Sequence, residues 1–262
     1  MTTIKSSLEL TNLILVGATG KLGNSVSKNN YVTYGICSKD NPLLGKVIDG
    51  IQEPLISSLS DINLEAANNP LVIDASFPEN FNNVYDFCFK NKIPLVLAST
   101  GHQQKQLKKL EKLAEEVAVL KAPNLSEGIA FFKQEILKPI IKLVKKKIQS
   151  INSSLAKSPQ TELKIKILET HHKKKKDAPS GTALDLKDFI QKDLNSVEIE
   201  IESIRNNSSV GKHEIIFTIY NEEFTVSHNA LSRDIFGEGV NLALSIRDKI
   251  PGIYSMTDLL KG

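Results

Sequence analysis

The chain has 262 residues, with 33 lysine and arginine side chains against 30 aspartate and glutamate side chains, so its formal net charge is only +3. Such a balance argues against a polybasic protein that binds nucleic acid or a membrane surface. The longest apolar run, residues 93–98, is far shorter than the roughly 20 residues that span a bilayer. Residues 1–7 lack the apolar segment of a signal peptide, and two cysteines make no disulfide framework, so we expect a cytoplasmic globular protein.

The first half of the chain alternates runs rich in Val, Ile and Leu with stretches of helical spacing. Strands are predicted over residues 12–16, 31–37, 71–75, 94–98 and 117–121. Helices are predicted over residues 21–28, 61–67, 79–91 and 103–117. Strands and helices in alternation are typical of a parallel sheet that helices cover on both faces.

The pattern changes after Pro123, which predicts a domain boundary near residues 123–126. A helix is predicted from about residue 126 to 147, kinked or broken at Pro139 because proline lacks the N–H that a helix interior needs. Strands are predicted at 163–167, 197–204, 214–220 and 224–227, and helices at 182–195 and 239–249, with a short turn near residue 259. The alternation of polar and apolar residues in these strands favours antiparallel neighbours with one open face.

A glycine-rich turn lies between the first predicted strand and the first predicted helix. It reads Gly17, Ala18, Thr19, Gly20, Lys21, Leu22, Gly23. Gly17 permits a tight turn, Gly20 lets the backbone approach a pyrophosphate, and Gly23 allows the helix to pack closely on the strand. Free N–H groups at the start of the helix would face the phosphates. The turn therefore predicts a dinucleotide cofactor; the alternative is a purely structural turn.

The end of the second strand in such a fold usually distinguishes NAD from NADP, because a carboxylate there binds the ribose and repels a 2′-phosphate. This chain has Ser38 and Lys39 at that place and no carboxylate. We therefore predict a preference for NADPH, with NADH possible. The alternative is that Lys39 is one more surface lysine in a lysine-rich chain.

The most informative segment covers residues 169–183 and reads E-T-H-H-K-K-K-K-D-A-P-S-G-T-A. His171 and His172 end a predicted strand, and Gly181 and Thr182 begin a predicted helix whose first N–H groups suit a carboxylate. Histidine titrates near neutrality and can donate a proton, while nearby ammonium groups stabilise anionic intermediates. The segment predicts reduction of a small polyanionic acid by a hydride and a proton. No further Cys or His spacing completes a tetrahedral zinc site, so we predict no metal.

Residues 169–183 resemble the signature E-[AT]-H-H-x-x-K-x-D-A-P-S-G-T-A of the 4-hydroxy-tetrahydrodipicolinate reductases, also called dihydrodipicolinate reductases, of bacterial lysine and diaminopimelate synthesis. The resemblance spans nearly the whole chain. It includes the glycine turn, Asp74 with Phe77-Pro78, Ser99-Thr100-Gly101, Ala122-Pro123-Asn124, and His228, Ala230, Ser232 and Arg233.

The resemblance implies roles for individual residues. His171 would be the proton donor, and Lys175 would assist protonation and stabilise charge. His172, Gly181 and Thr182 would bind the substrate dicarboxylate. Gly17 to Leu22 would hold the cofactor pyrophosphate. The nicotinamide side would be lined by Ala98, Ser99, Thr100, Ala122, Pro123, Asn124 and Leu125.

The resemblance also implies an α/β fold with two domains. Residues 1–125 and 235–262 would form a Rossmann-type parallel-sheet nucleotide domain. Residues 126–234 would form a mixed α+β domain for substrate binding and tetramerisation. The expected partners are a small dicarboxylate substrate and three further copies of the chain, with no nucleic acid and no membrane.

The sequence departs from the family in a few places. Ala98 stands where many members have glycine, Ser38 where several have an acidic residue, and Ala130 where asparagine is common. These departures leave the cofactor preference and the nicotinamide contacts open. Structural hydrogen bonding is favoured for His213 and His228. The roles of His102, Arg205 and Arg233 stay open, with a carboxylate contact considered for Arg205 and an interface contact for Arg233.

Two other functions share single features of this sequence. A short-chain dehydrogenase shares the glycine spacing but needs Tyr-x-x-x-Lys, and none of the five tyrosines has lysine four residues on. A nucleotide-sensing regulator or a polyanion binder that uses the lysine run would bind DNA in a salt-dependent way without oxidising NADPH.

Overall fold

The computed structural model describes residues 12–66, 68–154, 163–173, 175, 177–219 and 221–260. These residues form two compact units. The first unit contains the described residues up to Glu127 and from Asp234 onward, and the second unit contains those from Gly128 to Arg233. No described helix combines the length and the apolar content that crossing a membrane requires.

The regular elements follow in chain order. The strands are β1 (Leu13–Val16), β2 (Tyr34–Ile36), β3 (Leu71–Asp74), β4 (Leu95–Leu97), β5 (Ala118–Lys121), β6 (Leu163–His172), β7 (Ile199–Asn206), β8 (Gly211–Ile219), β9 (Glu222–Ala230) and β10 (Gly252–Tyr254). The helices are α1 (Lys21–Asn29), α2 (Phe81–Asn91), α3 (Gln104–Ala114), α4 (Glu127–Phe131), α5 (Lys138–Ser154), α6 (Gly181–Gln191), α7 (Asp234–Glu238), α8 (Val240–Ala243) and α9 (Met256–Leu259).

The first unit is built on a sheet with the strand order β10-β5-β4-β3-β1-β2, in which all described pairs are parallel. Every residue of β1 and β3 is buried, as expected when both faces of a parallel sheet are covered. Ile14, Val72 and Leu95 pack in one core with Phe81 of α2 and Leu110 of α3. The predicted Rossmann-type α/β fold is confirmed.

One predicted helix of the first unit is wrong, and a second is α-helical only in its first half. Over residues 61–67 the structure has only the 3-10 turns Leu59–Asp61 and Leu64–Ala66, and residue 67 lies outside the described residues. Ser58 and Asn63 accept hydrogen bonds from the N–H groups of Ser60 and Glu65, and such local bonds compete with a helix. Over residues 239–249, α8 gives way to a 3-10 segment, Leu244–Asp248.

The C-terminal segment contributes a helix and a strand that the sequence did not reveal. In α7, the Gly237 carbonyl oxygen accepts a hydrogen bond from the Asn30 amide at 2.8 Å. A Cβ at Gly237 would stand 2.1 Å from the carbonyl oxygen of Ser25, so glycine lets α7 approach α1 closely. Strand β10 then pairs with β5 at the edge of the sheet. With three residues, β10 is too short for a period to be recognised.

The second unit is built on a mixed sheet with the order β7-β6-β8-β9. The predicted antiparallel pairing is correct for β6 with β8 and for β8 with β9, but wrong for β6 with β7, which are parallel. The physical reason is α6, which lies between β6 and β7 in the chain and provides the crossover that parallel neighbours need. Ile167 and Phe217 on the covered face pack with Leu186 and Ile190 of α6.

The helical stretch around Pro139 is continued rather than broken. Between α4 and α5 the structure has a π-helical segment, Phe132–Leu137, and the N–H of Lys138 donates to the carbonyl of Lys133. This wider turn comes directly before Pro139, whose ring would clash with a carbonyl in regular α-helix. The predicted disturbance is therefore present, but it takes the form of a π segment.

Candidate active site

Strand β6 ends on the two adjacent histidines. Its alternation places Glu169 and His171 on the buried side, in line with Ile165 and Ile167, and leaves His172 half-buried on the other side. The row of apolar residues that packs the core is thus continued by two polar side chains.

The carboxylate of Glu169 is fully buried and accepts hydrogen bonds from three residues of two other segments, the loop before α6 and strand β7. The Ser180 N–H donates to both oxygens at 3.1 Å, the Ser203 hydroxyl donates to Oε1 at 2.6 Å, and the Arg205 guanidinium donates to Oε1 at 3.3 Å. Burial raises the pKa of Glu169, but the hydrogen bonds from Ser180 and Ser203 outweigh it, so the pKa lies below the ordinary value. Glu169 is therefore ionised at neutral pH.

The His171 side chain is 8% exposed, and its Nδ1 lies 3.5 Å from Oε2 of Glu169. The ring of His213 meets the His171 ring edge-on at 5.1 Å between centroids. Burial is the largest influence on His171 and lowers its pKa to about 4, although Glu169 acts in the opposite direction. Burial likewise lowers the pKa of His213 to about 3. Both imidazoles are therefore neutral at pH 7 in the free protein.

Lys175 lies in the loop that follows the two histidines. Its backbone N–H donates to the carbonyl of His172 at 3.0 Å, and its ammonium group lies 2.8 Å from the carboxylate of Asp177. After burial and Glu169, the charge of Lys175 is the next influence on the pKa of His171, which it lowers. Lys174 and Lys176 lie outside the described residues.

His172 and the start of α6 complete the predicted substrate residues. The Nε2 of His172 lies 2.6 Å from the guanidinium of Arg233, which gives that arginine a contact within the second unit. Ser180 caps α6, because its hydroxyl accepts from the N–H of Ala183 at 3.2 Å. Gly181 and the buried Thr182 form the first turn. Since Ser180 also donates to Glu169, the start of α6 is tied directly to β6.

Glu169, His171 and His213 each offer one potential ligand atom, and these atoms lie within 4.8 Å of one another. Such a spacing suits a transition metal. The carboxylate, however, already accepts from Ser180, Ser203 and Arg205, whose positive charge balances it. The absence of a metal stays a prediction.

In the first unit the glycine turn has the shape that a pyrophosphate needs. Gly17 has φ +81°, and a Cβ there would stand 2.7 Å from the carbonyl oxygen of Ala75, so only glycine fits. Gly20 begins α1 without a side-chain cap, and a Cβ there would meet only the Gly17 carbonyl oxygen, at 3.2 Å, and otherwise open space. The first turn of α1 carries no acidic residue, so the residues present fit a phosphate group.

The other predicted cofactor residues follow neighbouring strands. Ala98, Ser99 and Thr100 follow β4, and Ala122, Pro123, Asn124 and Leu125 follow β5, at the same carboxyl edge of the sheet as the glycine turn. Ser99 donates to the buried carboxylate of Asp74 at 2.8 Å and lies 3.0 Å from Nε2 of His102. His102 thus has a contact in the predicted nicotinamide loop. Lys39 lies beyond β2 and lines a cleft with Ser57 and Ser58.

Sequence reasoning missed the partners of Glu169 and left His213 and Arg205 without a defined place. The sheet register brings them together, because Glu169 pairs with Ser203 on one side and His213 on the other, while His171 pairs with Arg205. The sequence signal for this site was the presence of polar residues at alternate positions near one end of each strand. Without the strand order, this signal does not show which of these strand ends lie next to each other.

Two models of known protein families match this chain. The model of the dihydrodipicolinate reductase N-terminus matches residues 11–125, and the model of the dihydrodipicolinate reductase C-terminus matches residues 142–260. The chain belongs to the dihydrodipicolinate reductase family. The predictions of this family and of an oxidoreductase are confirmed, and a family of Rossmann-type reductases supports a nicotinamide cofactor.

Individual relatives of the dihydrodipicolinate reductase family match along their full length. A 4-hydroxy-tetrahydrodipicolinate reductase of Caldanaerobacter subterraneus subsp. tengcongensis is 32% identical over 274 residues, which cover 95% of this chain and 98% of the relative. That of Buchnera aphidicola subsp. Schizaphis graminum is 29% identical, with 97% and 98% covered. The solved structure of a dipicolinate-bound dihydrodipicolinate reductase from Paenisporosarcina sp. TG-14 has a TM-score of 0.67 at 21% identity, covers 94% and 97% of the two chains, and supports the fold.

Proposed function

We propose that this protein reduces 4-hydroxy-tetrahydrodipicolinate to tetrahydrodipicolinate in the diaminopimelate route to lysine, in the cytoplasm. The observation that carries the proposal is the buried pair of Glu169 and His171 beside the start of α6, in a chain of this reductase family. The substrate loses water and then gains one hydride and one proton. We assign the cofactor to the domain of residues 1–125 and 235–262 and the substrate to the domain of residues 126–234.

The nicotinamide cofactor, when bound, supplies the hydride. Gly17, Ala18, Thr19, Gly20, Lys21 and Leu22 would hold its pyrophosphate at the start of α1, and the runs after β4 and β5 would line its nicotinamide. NADPH is the preferred form, because Lys39 lies in the cleft beyond β2. A ratio of kcat/KM for NADPH over NADH clearly above one is expected, and a preference for NADH contradicts this assignment.

His171 donates the proton. In the free protein its ring is neutral, because burial lowers its pKa to about 4. A dicarboxylate substrate brings negative charge beside the ring, and negative charge favours the protonated imidazolium. The ring therefore takes up a proton when the substrate binds. Lys175 stabilises the electron-rich substrate by its charge. The proton then moves from the ring to the substrate, and the ring returns to its neutral form.

The two carboxylates of the substrate bind His172 and the first turn of α6. Gly181 and Thr182 offer N–H groups at the positive end of the helix dipole, where an anion is stabilised. The Paenisporosarcina relative was solved with dipicolinate, which carries two carboxylates on one ring. We expect dipicolinate to bind this protein in competition with the substrate.

The test of the proposed function is a coupled assay. A known synthase forms the unstable substrate from aspartate semialdehyde and pyruvate, and the loss of NADPH absorbance follows its reduction. The double variant His171→Ala, Lys175→Ala is expected to lower kcat about 10²- to 10⁴-fold, the usual contribution of a general acid, while the Kd for NADPH stays near that of the wild type. Lys173→Ala, in the neighbouring exposed lysine, is the matched control. Wild-type turnover in the double variant contradicts the assigned roles.

The protein assembles as a homotetramer through the open face of the second sheet. Leu168, Ile204 and Ile216 stand half-exposed or exposed on that face, among ion pairs such as Lys166 with Glu202. Light scattering is expected to give a mass four times the 28.9 kDa of the chain. Ile216→Glu is expected to lower that mass, and an unchanged mass contradicts this interface.

A further inference from the structure

Glu169 is the most enclosed charged group of the candidate active site, and the proposed reaction gives it no task. Its side chain is fully buried. An ionised carboxylate is expensive to bury unless other groups compensate it, so a sequence with no need for the charge at this place would carry an apolar residue. Here the compensation comes from Ser180 in the loop before α6 and from Ser203 and Arg205 on β7.

The Oε2 side of this carboxylate, which also accepts from the Ser180 N–H, lies beside the imidazoles. Oε2 lies 3.5 Å from Nδ1 of His171 and 4.0 Å from Nε2 of His213. Among the described residues, Nδ1 of His171 is buried and has no hydrogen-bond partner, so the carboxylate is the group available to it. A shift of a few tenths of an ångström converts this contact into a hydrogen bond.

The charged and titratable groups around His171 come from every neighbouring segment. They are Glu169 on β6, Lys175 and Asp177 in the loop, Arg205 on β7 and His213 on β8. Burial lowers the pKa of His171 most, Lys175 and Arg205 lower it further, and Glu169 and Asp177 raise it. Asp177 is exposed and paired with Lys175, so Glu169 is the buried negative charge that favours the protonated ring.

We propose that Glu169 is a positioning residue for His171. Its carboxylate holds the Nδ1 edge of the ring and stabilises the extra proton that the ring must carry before it protonates the substrate. This role rests on the proposed function of His171 as the proton donor. The carboxylate stays ionised throughout, because its three donors do not change.

With a proton held on Nδ1, the proton that reaches the substrate leaves from Nε2. This atom lies on the side of Gly211, at the start of β8, where an added Cβ would stand 3.2 Å away. Glycine therefore keeps that side of the ring uncrowded. Solvent supplies a proton to Nε2 when the next substrate binds, so one proton enters and one leaves per cycle.

The decisive experiment compares Glu169→Gln with Glu169→Asp and with a matched control, Glu214→Gln. Glu214 lies on the neighbouring strand β8 and pairs with Lys212 at 2.9 Å instead of facing His171. Side-chain NMR titration of His171 in the free protein is the first readout, and the pH profile of kcat is the second. The first readout does not depend on turnover, so it tests the role of Glu169 even if the proposed reaction fails.

In Glu169→Gln we expect a lower His171 pKa than in the wild type, because the negative charge that raises it is gone. We expect kcat at neutral pH to fall about tenfold or more, with the KM for NADPH within about twofold of the wild type. Glu169→Asp, which keeps the charge, restores part of the loss, and Glu214→Gln changes neither readout. A wild-type titration of His171 in Glu169→Gln overturns the proposal.

A second variant covers the case in which Glu169→Gln does not fold. Ser203→Ala removes only the donor at 2.6 Å and leaves the carboxylate in place. The looser carboxylate is expected to lower kcat about two- to fivefold with an altered pH profile, an effect of the size that one lost hydrogen bond allows. A folded Ser203→Ala protein with the kcat and pH profile of the wild type also overturns the proposal.

Discussion

The glycine turn of the first unit and the histidine site of the second are built in opposite ways. The turn is one continuous run, Gly17 to Gly23, and presents backbone N–H groups. The histidine site assembles side chains from β6, β7, β8 and the loop before α6. The turn buries no charge, whereas the site encloses a carboxylate and two imidazoles. We therefore expect the turn to be sensitive to added atoms and the site to be sensitive to charge and pH.

The largest expected effect concerns space in the glycine turn. A Cβ at Gly23 would stand 2.2 Å from the carbonyl oxygen of Gly17 and 2.7 Å from that of Ala18, and backbone atoms cannot rotate away. Gly23→Ala is expected to lower the free energy of unfolding by about 3 kcal/mol and to abolish NADPH binding. Thermal unfolding and a fluorescence titration with NADPH measure both.

The matched variant is Gly20→Ala, whose Cβ meets only one backbone atom, at 3.2 Å. It is expected to keep the unfolding temperature of the wild type while weakening NADPH binding, because the methyl group fills the open space over the turn. If Gly23→Ala and Gly20→Ala lower the unfolding temperature equally, the room for a Cβ at the two positions does not determine the loss of stability.

The next effect concerns acid stability of the histidine site. The folded pKa of His213 is about 3, below the ordinary value of 6.5, so unfolded chains take up a proton that folded chains exclude. This contribution to stability is complete above pH 6.5 and is lost as the pH falls toward 3. Between pH 7 and pH 4 the loss is on the order of 3 kcal/mol.

Replacing His213 by glutamine removes the titrating group. In His213→Gln, the unfolding temperature is expected to fall less between pH 7 and pH 4 than in the wild type, as measured by calorimetry. His102→Gln in the first unit serves as the control for a histidine that is less buried. A parallel fall in the wild type and in His213→Gln contradicts the assignment of acid sensitivity to His213.

The smallest expected effect concerns Lys39, whose side-chain charge is assigned to the 2′-phosphate of the cofactor. Lys39→Glu is expected to raise the KM for NADPH about tenfold, since it sets a like charge near a 2′-phosphate, and to leave the KM for NADH within about twofold. Lys28→Glu, an exposed position in the last turn of α1, is the control. Steady-state kinetics with both cofactors measure the difference. Equal changes for NADPH and NADH mean that Lys39 does not contact the 2′-phosphate.

Much of the first unit was predictable because its information is local. The glycine turn, the buried strands and α3 each carry their pattern within a dozen residues. The predictions failed where side-chain hydrogen bonds or strand pairing, and not the spacing of apolar residues, decide the secondary structure. Ser58 and Asn63 favoured turns over a helix, and β10 is a strand only because β5 offers it an edge.

The sequence by itself determined the family, the parallel sheet and the identity of the residues that carry the chemistry, because motifs and periodicity are properties of neighbouring residues. Only the tertiary structure decided which side chains meet His171. Ser203 and Arg205 reach its neighbour Glu169, and His213 reaches both, from more than 30 positions away along the chain through the register of a mixed sheet. Register depends on the order and direction of strands, which follow from packing the whole unit and not from any one segment.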